Sequence, residues 1–201
     1  MHAGFVQAHI ARGNRTLLVL GLVLAIVGVG LSLLFKNWFA ILFIGVPGVI
    51  VLGVWLLRIL NPSAHPIYKN LARYGDVQQV VQQVNQEFAG VQANDTPQFG
   101  AHWLAQGNTY GLDLLPWQEI AWLHIYTRIR NGVRSNYVRV WSRDGKQFVI
   151  PSAMPEQTLR QLYNRAPWAE VGYSPELEQE WAKQRPAFLE RIDARKQTAT
   201  R

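Results

Sequence analysis

The sequence contains no cysteine. Disulfide frameworks, thiolate metal sites and cysteine nucleophiles are therefore excluded, and the absence agrees with a cytoplasmic location. Acidic residues are missing from the first 60 positions, which hold four basic groups and a net charge of +4. The remaining positions hold sixteen basic and thirteen acidic groups, so they carry only +3 of the total +7. That split is a topology signal beside anionic headgroups rather than a nucleic-acid footprint, and no nucleic-acid partner is expected. No P-loop, GxGxxG, GxSxG or HExxH pattern occurs, and His65, His102 and His124 lack metal-ligand spacing. Asp113 and Glu119 are lone acids, not an acid–base pair. No catalytic residue, cofactor or metal is expected; a dispersed site is the one route to activity left open.

What the chain does have is two long uncharged apolar runs, 16–35 and 39–57, separated by Lys36, Asn37 and Trp38. The first holds fourteen Leu, Val, Ile or Phe residues and the second thirteen. At about −0.3 to −0.6 kcal/mol each, such residues outweigh the cost of the Gly, Ser and Thr among them. Each run reaches the roughly 20 residues that a helix needs to cross a bilayer. A signal peptide is a poor fit, because the first run is too long and no small-x-small site follows it. Pro47 is tolerable where a neighbouring helix re-satisfies the freed carbonyl. The expectation is a transmembrane helix at 16–35, an external turn at 36–38 and a second transmembrane helix at 39–57.

Orientation follows from the short flanks. Arg12 and Arg15 precede the first run, and Arg58, Lys69 and Arg73 follow the second, against Lys36 alone in the turn. Both termini are thus expected in the cytoplasm, with the hairpin in the inner (plasma) membrane and segment 1–15 as a cytoplasmic lead. Phe35, Trp38 and Phe39 suit an outer aromatic belt, and Trp55 an inner one. Gly21, Ala25, Gly28 and Ser32 form one small-residue face, matched by Gly45 and Gly48. Such a face suits close packing within the hairpin, with a dimer contact as the alternative.

Residues 61–192 read as one water-facing α+β domain, followed by a tail at 193–201 expected to fray. Asp76 is an N-cap for a helix carrying Val77, Val80, Val81, Val84 and Phe88. Phe99 to Gln106 and Thr109 to Leu114 read as a strand pair around Gly107-Asn108. Glu119 to Arg130, Arg134 to Arg143 and Lys146 to Ile150 read as three more. Asn131-Gly132 and Asp144-Gly145 both suit two-residue type I′ turns. The first turn sets Trp122 opposite Trp141, His124 opposite Arg139 and Tyr126 opposite Tyr137. The second sets Trp141 opposite Phe148 and Val140 opposite Val149. Pro155 opens a helix ended by Ala166-Pro167, and Ser174-Pro175 caps another that Pro186 should break.

The strands, the Asp-Gly hairpin and the helix after it, in that order, resemble pleckstrin-homology-like modules of bacterial membrane proteins. More narrowly, the chain looks like an uncharacterised bacterial family with two membrane spans followed by such a domain. The residues carrying this are His65-Pro66, Ala72-Arg73-Tyr74-Gly75-Asp76, Trp103, Glu119-Ile120-Ala121-Trp122, Pro167 and Val171-Gly172-Tyr173-Ser174. The resemblance implies a fold but no activity and no functional residues.

One sheet face carries the most pointed chemistry. Trp122, Tyr126, Tyr137 and Trp141 form a candidate aromatic face, and Arg128, Arg130, Arg139 and Arg143 a candidate contact for anionic lipid or an acidic partner. The competing reading is that a helix or the segment 168–188 covers those rings. The functional expectation is a membrane-tethered binding or scaffolding module. An accessory subunit of a larger membrane complex, or an enzyme on a membrane-associated substrate, are the alternatives.

Overall fold

The computed structural model describes residues 4–36, 38–108 and 111–199. These form a mixed α+β chain that divides into two compact units, 1–114 and 115–201. The division falls inside the stretch expected as a single domain.

Unit one opens with α1 (Phe5–Phe35), which starts eleven residues before the apolar run. Lys36 ends it in the left-handed conformation, φ 49°, with its N–H donating to the Ser32 carbonyl. A cation at this position also favours the helix dipole. Asn37, the middle of the expected turn, lies outside the described residues. The returning helix is already helical at Phe39, passes through a π turn (Ile41–Gly45) and continues as α2 (Val46–Leu60). Pro47 explains the wide turn: its ring excludes the carbonyl four residues back, and the Val46 N–H instead reaches Ile41. Both α1 and the 41–60 segment are long and apolar enough to cross a membrane.

Beyond Leu60, a short turn (Pro62–Ala64) leads to α3 (Pro66–Leu71) and α4 (Val77–Glu87). Asp76 caps α4 as expected, its Oδ1 accepting from the Gln78 and Gln79 amides at 3.1 and 3.0 Å. The first turns of α1 pack into this part of the unit. Phe5 and Val6 share a core with Ile67, Leu71, Val80, Val84, Phe88, Trp103 and Leu114. The Val6 N–H donates to Asn85 Oδ1 at 2.9 Å, and Arg12 forms a two-pronged ion pair with Asp95. From Phe5 onward, segment 1–15 is helix, continuous with the apolar run.

A three-stranded sheet completes the unit in the order β1 (Gln98–Phe99), β2 (Trp103–Asn108), β3 (Gly111–Pro116). The stretch expected as one strand from Phe99 to Gln106 is instead a tight hairpin, with Phe99 opposite Leu104. The cause lies in α4, whose Glu87 carboxylate accepts from the His102 and Trp103 amides at 2.9 and 3.1 Å and folds the chain there. Gly107-Asn108 is strand rather than turn. A side chain on Gly107 would strike the Asn94 carbonyl, so this glycine serves close approach. Thr109, expected to open the next strand, lies outside the described residues.

Unit two is built on a sheet of order β6-β5-β4-β7: β4 (Ile120–Arg130), β5 (Val133–Ser142), β6 (Gln147–Pro151) and β7 (Glu170–Val171). Asn131 and Gly132 both have positive φ, 50° and 76°, as a type I′ turn requires. The β4–β5 register is the expected one down to Trp122 opposite Trp141. The second turn differs. Only Gly145 has positive φ, and Ser142 N–H donates to Lys146 O at 2.9 Å, closing a three-residue loop. Asp144 stabilises it by accepting from the Ser142 hydroxyl and the Lys146 amide. The register shifts by one: Gln147 faces Trp141 and Phe148 faces Val140. Phe148 and Ile150 thus join Val138 and Val140, not the tryptophans.

Helix α5 (Pro155–Arg165) ends before Pro167, and α6 (Pro175–Lys183) is capped by Ser174 Oγ, accepting from Leu177 N–H at 3.2 Å. Pro186 marks the break to α7 (Arg185–Ala199). The fraying expected from Asp193 is replaced by helix to Ala199. Asp193 is gripped by Arg143, and Arg195 reaches Glu170 at 2.9 Å. Residues 200 and 201 lie outside the described residues.

Candidate functional site

The structure resolves the fate of the aromatic face. Trp122 is only 1% exposed, beneath Trp181, Phe188 and Ile192 of α6 and α7. Trp141 and Trp168 pack at the edge of the same cluster. Trp122 and Trp141 stack at 6.1 Å between centroids, and the Trp122 indole N–H donates to Gly172 O at 2.7 Å. Trp168 does likewise to Ile120 O at 3.1 Å. Trp122 is therefore core, with Trp141 packed half-buried against it, and the 168–188 segment and its continuation cover this face. Tyr126 and Tyr137 lie farther along the face and stay half-buried.

His124 sits between these regions, 4.7 Å from Trp122 and 5.5 Å from Tyr173, and neither ring nitrogen has a hydrogen-bond partner among the described residues. Burial holds its imidazole at about 4, with the Arg139 charge adding to the depression and Glu178 opposing it. His65 in unit one is likewise held at about 4, by burial and then by Arg58, while its Nδ1 accepts from Ile67 N–H. Folded chain thus refuses protons that unfolded chain accepts below pH 6.5. Stability is full above that value and falls as pH drops toward 4. After discounting for screening, the loss is about 2 kcal/mol per histidine. Urea unfolding at pH 7 and 4.5 measures it, and His124→Phe should remove the share belonging to unit two. An unchanged pH slope in that variant would contradict the burial argument.

The four candidate arginines separate into two groups. Arg143 pairs through both terminal nitrogens with Asp193, at 2.6 and 2.8 Å. Arg139 lies over the Tyr126 ring at 3.6 Å. These two hold the fold. Arg128 and Arg130 are exposed near the Asn131-Gly132 turn, and Arg134, absent from the candidate set, stands exposed beside them. Ile129 and Val133 at the same tip are 72% and 65% exposed. Arg134 was legible from register, since it lies opposite Ile129 once the turn is placed.

The small residues of the apolar pair are brought together. A Cβ on Gly48 would stand 2.5 Å from Ala25 N and 2.9 Å from Gly21 O, and one on Gly28 would strike the Gly45 backbone. Ser32 is half-buried, its carbonyl accepting from the Lys36 amide. Unit one also contains a groove of about 870 Å³, lined by Tyr68, Lys69, Val81, Gln82, Asn85 and Gln7 among others. Its neutral amides and single cation come from α3 and α4 together with Gln7 of the distant α1. Among the described residues, no three His, Asp or Glu side chains converge. His102 instead meets Glu87 at 2.9 Å.

No protein-family model matches the chain, and no curated protein and no solved structure matches it.

Proposed function

We propose that this chain is an integral membrane protein of the inner membrane, with both termini cytoplasmic, whose water-facing units act as a tethered binding or scaffolding module for anionic lipid or an acidic partner. The observation that carries the reading is the state of the apolar pair. Its two backbones nearly touch through glycine, yet its outward residues are bare, with Leu33, Leu34 and Phe43 at 75%, 73% and 73% exposure. A core helix of a water-soluble protein buries such residues; lipid is the solvent that suits them. Continuity of α1 from the apolar run into the Phe5–Val6 core makes the tether stiff rather than a flexible linker. Holding a domain at a surface raises its effective concentration toward ligands there.

The pleckstrin-homology-like part of the proposal is supported by the order of elements, strands β1 to β6 in two sheets with antiparallel β1–β2, β4–β5 and β5–β6 pairs, followed by the helix α5. The absence of native cysteine makes the topology directly testable. In intact cells, an impermeant maleimide should label Lys36→Cys, and should label Gln157→Cys only after the membrane is opened. Labels in the reverse order, or a chain that stays in solution without detergent, would overturn the reading.

A further inference from the structure

We propose that the tip of the β4–β5 hairpin inserts end-on into the headgroup region of an anionic bilayer, with Ile129 and Val133 as the inserting side chains and Arg128, Arg130 and Arg134 as their anionic-lipid contacts; this rests on the membrane reading above. The sheet supports β4 and β5 along only part of their length. β7 pairs with β4 at Trp122 and Leu123, and β6 pairs with β5 no farther than Tyr137, with Ser152 N–H reaching Asn136 O. Among the described residues, 128–130 and 133–135 pair in the sheet only with each other, giving a free ribbon about 10 Å long. A two-stranded ribbon is marginal in water, so an environment that covers it stabilises it.

Its charge names that environment. Residues 120–143 contain five arginines and no acid. With Arg139 and Arg143 engaged in the fold, the three exposed ones cluster at the tip. Strand alternation and the observed register decide between lipid and a protein face. Arg128, Arg130 and Val133 lie on one side of the ribbon, Ile129 and Arg134 on the other. An acidic protein surface would meet one side and leave the second apolar residue in water. A bilayer surrounds both. Ile129 and Val133 each stand within two residues of the turn, so both reach the headgroup–acyl boundary at a depth of about 5–10 Å.

The test uses the full chain in lipid nanodiscs, with an environment-sensitive fluorophore on single cysteines. Ile129→Cys and Val133→Cys labels should turn apolar and be quenched by spin-labelled lipid in phosphatidylglycerol discs, and stay aqueous in phosphatidylcholine discs. A Gln157→Cys label should stay aqueous in both. Neutralising Arg128, Arg130 and Arg134 to glutamine should weaken insertion by about fivefold per residue, about a hundredfold together. Aqueous tip labels in phosphatidylglycerol discs, with a Leu33→Cys label quenched, would overturn the insertion and leave the anchor standing. An unquenched Leu33→Cys label would overturn the anchor itself. Tip labels that respond to added polyglutamate but not to phosphatidylglycerol would replace the bilayer with an acidic protein.

Discussion

Trp122→Ala is expected to destabilise unit two by about 3–5 kcal/mol, the usual cost of emptying a buried tryptophan site. The residue contacts Trp141, Trp181 and Phe188 at centroid distances near 6 Å and is sealed from solvent. Its loss also strands the Gly172 carbonyl, which accepts the indole N–H, and so loosens β7 beside it. Such a loss is large against a total stability of about 5–15 kcal/mol. Trp122→Phe keeps most of the ring and should cost less than half as much. Denaturant titration followed by near-UV circular dichroism measures both. An alanine variant within 1 kcal/mol of the parent would mean that α6 and α7 do not cover this face.

Gly48→Leu should separate α1 from α2, at a cost of about 3 kcal/mol or more, above ordinary overpacking because backbone cannot move aside as a side chain can. The added Cβ alone would stand 2.5 Å from the Ala25 nitrogen. Gly53→Leu lies on the same helix with nothing within 4 Å of its added Cβ, and should be neutral. Unfolding in mixed micelles with increasing dodecyl sulfate, read by fluorescence transfer between labels at positions 33 and 42, compares the two. Equal behaviour of the pair would show that the helices do not pack through Gly48. Loss in Gly53→Leu alone would place the contact on the opposite face.

Several features were legible because their chemistry is local. Asn131-Gly132 admits positive φ at both positions, and from that turn the β4–β5 register followed as far as Trp122 opposite Trp141. Asp76, Ser174, Pro155 and Pro186 acted as caps and breaks for the same reason. Asp144-Gly145 shows the limit of such reasoning. The dipeptide is also compatible with a three-residue loop, and side-chain hydrogen bonds to Asp144 selected that form. The early start of α1 carried a signal in Phe5, Val6, His9, Gly13 and Leu17, spaced for one helical face. Apolarity falls away there and Arg12 and Arg15 intervene, so the stripe was masked by the stronger run after it.

The candidate surface divides along similar lines. Composition and alternation were enough to gather the aromatics and arginines on one strand pair. They could not say which rings α6 and α7 would cover, nor that Asp193, fifty residues away, would claim Arg143. The order of residues by itself determined two membrane-length apolar helices, their glycine seam, the first hairpin and its register, because hydrophobic run length, Cβ-free positions and backbone dihedral preference are properties of short segments. Only the tertiary structure decided that Trp122 is core with Trp141 packed against it, that two of the candidate arginines are structural and that Arg128, Arg130 and Arg134 stand exposed at the tip, because burial and ion pairing depend on segments that meet only when the chain is folded.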